Sequence, residues 1–338
     1  MSITVNTPQL KAEYTTRPAT LEDSAGIADL INACALKYLG TEETTAEDEM
    51  KYSQTPGFEP EQDARVVLSP TGKIVGHVAV WANAKPPVHP FVWARTHPDH
   101  ENQGIGLYLN AWAEERCHLV FDEVPPEARV SMRTLFYKEF AAAKKLLENL
   151  GWSVMRHNLR MRIEMHTSPP TPQWPENISL QPFVMERDVE ALYRAEQEIF
   201  RDHFGYVETP FEEGLANFKY YSEHENYDPV LWFVAKDGDQ IAGMALNMLW
   251  AFDGRDEGYV MILGVRRPWR KQGLGLALLQ HSFAEHYHRG KRMVALHLDA
   301  SNLTGALHLY KRAGMEIHRQ SDMLEKEIRP GIEIEKTE

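Results

Sequence analysis

The chain is poor in cysteine: Cys34 and Cys117 are the only two in 338 residues, far apart and in no CxxC pair. That excludes a disulfide framework and a cysteine-based zinc site, and points to two buried thiols. No apolar run approaches the roughly 18 residues that a membrane helix needs, so no spanning segment is expected. The opening MSITVNTPQLKAEY has no basic stretch followed by an apolar one, so a cytoplasmic location is expected. Positive charge is also short, with 36 Lys and Arg against 49 Asp and Glu and a formal balance of −13. Such a surface repels phosphate backbones and anionic lipids, which leaves nucleic acid and membranes out as expected partners. A cationic amine would be attracted, although the same balance also serves solubility alone. His281, His286 and His288 lie without HExxH spacing, so packing or surface roles are expected for them and no metal is implied.

What is present is an ordinary globular composition, 43% hydrophobic and 25% charged, on a length that suits two domains. One plan occurs twice. Arg17 to Ala33 and Gln181 to Gln197 each read as an extended segment, acidic residues, then helical apolar spacing. Ala64 to Trp81 and Leu231 to Trp250 each read as a β-hairpin around a short Gly-containing turn. A third strand follows in each copy, Phe91 to Thr96 and Tyr259 to Val265, and runs into a glycine turn and a helix. The turns are Glu101-Asn102-Gln103-Gly104-Ile105-Gly106 and Arg270-Lys271-Gln272-Gly273-Leu274-Gly275. Ala143 to Trp152 and Ala306 to Met315 each give a helix stopped by a glycine, with closing strands beyond. Between the copies, His166 to Asn177 carries four prolines and reads as a linker. The expected domains are 13–165 and 178–330 around the linker 166–177, with mobile polar ends.

A strand entering closely spaced glycines and a helix is a device for holding phosphate: the backbone comes close, and the free N–H groups at the helix start favour an anion. Arg270 and Lys271 add positive charge at the mouth of the second turn. The stretch LGVRRPWRKQGLGLALL resembles the acetyl-CoA motif of the GNAT acyltransferase family, an Arg or Gln, two residues, Gly, one residue, then Gly or Ala; Arg270, Gly273 and Gly275 fit it. The resemblance implies that the backbone through Arg270, Lys271, Gln272, Gly273, Leu274, Gly275 and Leu276 cradles the CoA pyrophosphate. It further implies that the strand at Leu263 to Val265 pairs with the pantetheine arm beside a splayed neighbour, the Val265 N–H polarising the thioester carbonyl.

LDASNLTGALHLYKRAGM resembles the family's second signature, with Asn302, Tyr310 and Gly314 in the matching places. By that resemblance Asn302 contacts the pantetheine or orders the helix start, and Tyr310 is the general acid for the thiolate leaving group. An amine nucleophile must lose a proton before it attacks. Glu257 is the leading base, sharing strand parity with Tyr259 and Met261, and His203 is the alternative. Asp202, His203, Tyr206 and Asp228, in the aromatic segment after the first helix, are expected to meet the acceptor.

In the first copy Glu101 replaces the leading Arg or Gln, and aligning Gly151 with Gly314 puts Leu147 where Tyr310 stands. A degenerate first domain is therefore expected. The fold class the resemblance implies is α/β: two tandem GNAT domains, each a mixed, mainly antiparallel twisted sheet flanked by helices. The function implied is an acyl-CoA-dependent N-acyltransferase that moves acetyl from acetyl-CoA, as co-substrate, to a primary amine of a small molecule or peptide. The alternatives are a CoA-binding scaffold without turnover, and transfer of a longer acyl chain.

Overall fold

The computed structural model describes residues 8–201, 206, 209–223, 225–251, 254–300 and 305–334. The chain divides into two compact units. In the first, β1 (Thr15–Pro18), β2 (Ala64–Leu68), β3 (Ile74–Trp81) and β4 (Phe91–Thr96) form an antiparallel run. β5 (Val130–Tyr137) then joins β4 in parallel, at the single pair Phe91↔Arg133. Three helices, α1 (Ser24–Leu39), α4 (Ile105–His118) and α5 (Ala141–Asn149), supply much of the cover, with α2 (Ala46–Ser53) and α3 (Pro60–Asp63) as shorter additions. Leu30, Ile31, Val66, Val67, Val75, Val78, Ile105 and Leu109 are fully or almost fully buried in its core. Burial of each such side chain contributes on the order of 2 kcal/mol.

The second unit repeats the plan with β7 (Ile178–Gln181), β8 (Tyr227–Asp237), β9 (Gln240–Met248) and β10 (Gly258–Val265) in antiparallel order. β11 (Met293–Asp299) runs parallel to β10. Its helices are α6 (Met185–Phe200), α7 (Phe211–Ser222), α8 (Leu274–His288) and α9 (Ala306–Arg312).

The units are not the two contiguous segments that the repeat suggests. Residues up to His157 and Ser321–Ile334 make the first, and Asn158–Gln320 lies in the second. The reason is strand pairing. From Asn158 onward, β6 (Ser153–Glu164) pairs antiparallel with β11, and from Ser321 onward, β12 (Glu316–Arg329) pairs antiparallel with β5. Each copy's closing strand is thus hydrogen-bonded in the other copy's sheet. Residues 166–177 contain neither helix nor strand, as four prolines without N–H donors require.

Candidate active site

β10 and β11 pair at Gly258↔Val294 and Tyr259↔Ala295, and no pair follows although both strands continue. They splay. A register shift between Val260 and Ile262 marks a bulge at Met261 on the β9 side, which adds a residue and re-aims the strand. Glu257, Tyr259 and Met261 keep to one side, Tyr259 and Met261 packing with Met248 and Ala295. Beyond the bulge the alternation is reset: Leu263 and Val265 pack toward Leu274 and Leu278 of α8.

The ladder fixes where the backbone groups of β10 point. Arg266 N donates to Ala242 O at 3.0 Å, with Val265 opposite Gly243 and Leu263 opposite Ala245. In an antiparallel pair the bonded and non-bonded positions alternate, so the N–H and C=O of Leu263 and Val265 face away from β9, into the splay. The open end of the splay meets the glycine turn. Lys271 (φ 63°) and Gly273 (φ 90°) are both left-handed, and Gly273 caps α8 with no side chain over the exposed N–H groups. This is a concave nest of donors at a helix start, suited to an anion. Arg270 and Lys271 are exposed at its rim, and Arg270 Nε donates to Val265 O at 2.9 Å. Gln272 Nε2 donates to Pro268 O at 3.0 Å. Gly275 lets α9 approach, since a Cβ there would stand 3.2 Å from Leu309 Cδ2.

α9 brings Tyr310 to the α8 side of the splay, among Val260, Phe283, Leu296 and Leu298. The ring is 8% exposed, and burial pushes its hydroxyl up to about 12. It therefore holds its proton throughout the neutral range, as a general acid must. Asn302, Asp202 and His203 lie outside the described residues. Tyr206 is half-buried. Asp228 is engaged elsewhere: Oδ2 accepts from Arg289 Nη1 at 2.7 Å, just past the C-terminal end of α8, and Oδ1 accepts from Val230 N at 3.0 Å.

Glu257 stands just before β10, and its carboxylate is held on both sides. Oε2 accepts from Arg160 Nη2 at 2.7 Å and Oε1 from Arg162 Nη1 at 3.2 Å. The Arg160 side chain is 1% exposed. Both oxygens are thus engaged, and a proton taken from an amine would neutralise the charge that partners two arginines of β6. Beside it, Tyr259 Oη and His297 Nδ1 are 2.9 Å apart. His297 is exposed on β11, two residues past the last β10–β11 pair and opposite Arg160 on β6. Sequence reasoning missed Arg160, Arg162 and His297. The one available signal was a histidine interrupting the apolar run MVALHLD. His286 is a core residue, 1% exposed and pushed down to about 4 by burial, while His281 meets Phe233 and Trp174 edge-on. No metal-binding cluster occurs among the described residues.

The first unit has the same backbone device with different side chains. Asn102 (φ 60°) and Gly104 (φ 84°) repeat the left-handed pair, and Gly104 caps α4. A Cβ on Gly106 would stand 2.8 Å from Leu146 Cδ2, as one on Gly275 would meet Leu309, which puts Leu147 in the place of Tyr310. Glu101 is tied to α1 through Tyr38 Oη and Lys37 Nζ. β4 pairs with β3 without a register shift, so no bulge re-aims it.

A splayed parallel pair, a donor nest at the helix start and a buried tyrosine beside the splay make this a candidate acyl-CoA-type acyltransferase site. The model of the Acetyltransferase (GNAT) family matches residues 189–315, within the second copy. The crystal structure of a GCN5-related N-acetyltransferase from Sphaerobacter thermophilus is 33% identical, with a TM-score of 0.81, over 96% of this chain and 99% of that one. A tandem GNAT protein from the clavulanic acid biosynthesis pathway shares the fold, at 14% identity and a TM-score of 0.69 over 95% of this chain and all of that one. Mycothiol acetyltransferase of Renibacterium salmoninarum is 27% identical over 223 residues, 64% of this chain; the match spans 62% of that relative's length. The chain belongs to the GCN5-related N-acetyltransferase family.

Proposed function

We propose that the second unit transfers the acetyl group of acetyl-CoA to a primary amine of a small molecule or peptide, by direct attack of the amine on the thioester. The observation that carries this reading is the nest at Lys271 to Gly273 opening onto the splay beside Tyr310. The nest and Arg270 hold the diphosphate, and the inward N–H groups of Leu263 and Val265 serve the pantetheine and the thioester oxygen. As the C–N bond forms and the C–S bond breaks, the Tyr310 hydroxyl gives its proton to the departing thiolate. The amine proton leaves on the other side of β10, where His297 and Tyr259 form a hydrogen-bonded pair and an imidazole is an apt acceptor at neutral pH. The relatives named mycothiol acetyltransferases support a small-molecule amine as the acceptor class.

The test is release of free CoA from acetyl-CoA against a panel of amines, with mass spectrometry of the products. An amine-dependent release that yields an N-acetyl product is expected. Release at the same rate with and without every amine would refute amine transfer.

A further inference from the structure

The first unit holds a cavity of about 380 Å³ where the acyl-CoA groove lies in the second. β4 and β5 part after one residue pair, and α1, α4 and α5 close the gap. The walls are largely apolar, with Val92, Ile105, Leu109, Phe136, Leu147 and Trp152 among them. The size falls in the range of small-molecule sites. The mouth does not suit a diphosphate, since the positions of Arg270 and Lys271 are taken by Glu101 and Asn102, with Asp99 exposed nearby.

Among the described residues, Arg95 is the one lysine or arginine in the lining. Arg95 lines the cavity with its side chain 7% exposed, and its Cζ lies 4.0 Å from the centre of the Trp93 ring and 4.9 Å from that of Phe140. Its polar partners are few. Nη1 donates to Ala94 O at 3.1 Å, Nη2 stands 3.9 Å from Glu43 Oε1, and Nε has no hydrogen-bond partner among the described residues. A guanidinium carries five donors arranged to grip a carboxylate in two parallel bonds, and a buried donor without an acceptor is costly. Two other polar groups of the wall have partners within it: Trp152 Nε1 donates to Asn110 Oδ1 at 2.9 Å, and the Cys34 thiol to Thr96 O at 3.3 Å.

We propose that this cavity is a second ligand site that takes a small monocarboxylate with an apolar body, its carboxylate on Arg95 and its body among the β4, α4 and α5 side chains. The site is separate from acetyl transfer and does not depend on that reading. The carboxylate competes with Glu43 for the guanidinium, which sets the sign of one test.

The experiment is calorimetric titration of the full chain with octanoate and, separately, with 1-octanol, repeated on Arg95→Met, Ala143→Phe and Glu43→Gln. Ala143 lines the cavity, so a phenyl ring there fills it. One octanoate site is expected in the wild type, with octanol at least tenfold weaker. Arg95→Met should weaken octanoate at least tenfold, Ala143→Phe should abolish it, and Glu43→Gln should tighten it. Circular dichroism and acetyl-CoA titration of each variant establish that it is folded and that its second unit is intact. Absence of octanoate binding, octanol binding equally well, or acetyl-CoA displacing octanoate from this site would overturn the proposal. If Arg95→Met does not fold, Glu43→Gln decides, since unchanged or weaker octanoate binding there also overturns it.

Discussion

Replacing Glu257 by glutamine separates the two roles that carboxylate can have. The Arg160 side chain is 1% exposed and that of Glu257 11% exposed, with their charged atoms 2.7 Å apart, and Arg162 reaches the second oxygen at 3.2 Å. Removing the negative charge strands a buried guanidinium, a change that costs about 3–5 kcal/mol when a partner is lost outright. Glutamine keeps an acceptor, so the lower figure, about 3 kcal/mol, is the expectation. For a unit of this size that lowers the melting temperature by roughly 6–12 °C, at 2–4 °C per kcal/mol. The assay is thermal and urea denaturation of Glu257→Gln, Arg160→Met and the double variant Glu257→Met/Arg160→Met. The double variant should recover most of the loss, because two apolar groups replace a charge pair. The expected outcome is the stability loss of a positioning residue; if Glu257→Gln melts like the wild type yet loses its turnover and the acidic limb of its pH profile, Glu257 is the base instead.

Tyr310→Phe should lower kcat by about 10²–10⁴, the span of general acid catalysis, while acetyl-CoA affinity stays within a few fold; steady-state kinetics with calorimetry checks both. His297→Gln should lower kcat most on the plateau above the acidic limb, least at low pH, and so flatten that limb, which a pH–rate profile reads. In the first unit, burial would raise the Glu325 carboxyl, but bonds from Arg129 and Ser131 outweigh it and hold the group down at about 2. A depressed carboxyl stabilises the fold above its ordinary value of 4.5 and loses that contribution as pH falls from 4.5 toward 2. At most about 3 kcal/mol is involved, at 1.36 kcal/mol per pKa unit, and Arg129→Met should flatten this part of the stability–pH curve measured by urea melts.

The parts of the fold that local chemistry dictates were legible. Alternating apolar residues and Gly-bearing turns give the hairpins β2–β3 and β8–β9, and the strands ahead of both glycine turns lie where that pattern puts them. The left-handed backbone at Gly104 and Gly273 follows from what glycine permits. Strand partners were not legible, because alternation marks a strand without naming its neighbour. The exchange of β6 and β12 therefore escaped the repeat, and with it the arginines that β6 brings to Glu257. The bulge at Met261 escaped as well, since a period of two has no place for an extra residue. His297 became visible as a site candidate only once β11 lay beside β10.

The central claim is that the second unit binds acetyl-CoA at the nest around Gly273. It is tested most directly by calorimetric titration of acetyl-CoA into the wild type, Gly273→Glu and the matching Gly104→Glu of the first unit. At Gly273 (φ 90°) a glutamate strains a left-handed position and sets negative charge where the diphosphate belongs. The account predicts one site in the wild type, lost in Gly273→Glu and kept in Gly104→Glu. Binding that survives Gly273→Glu unchanged would contradict it.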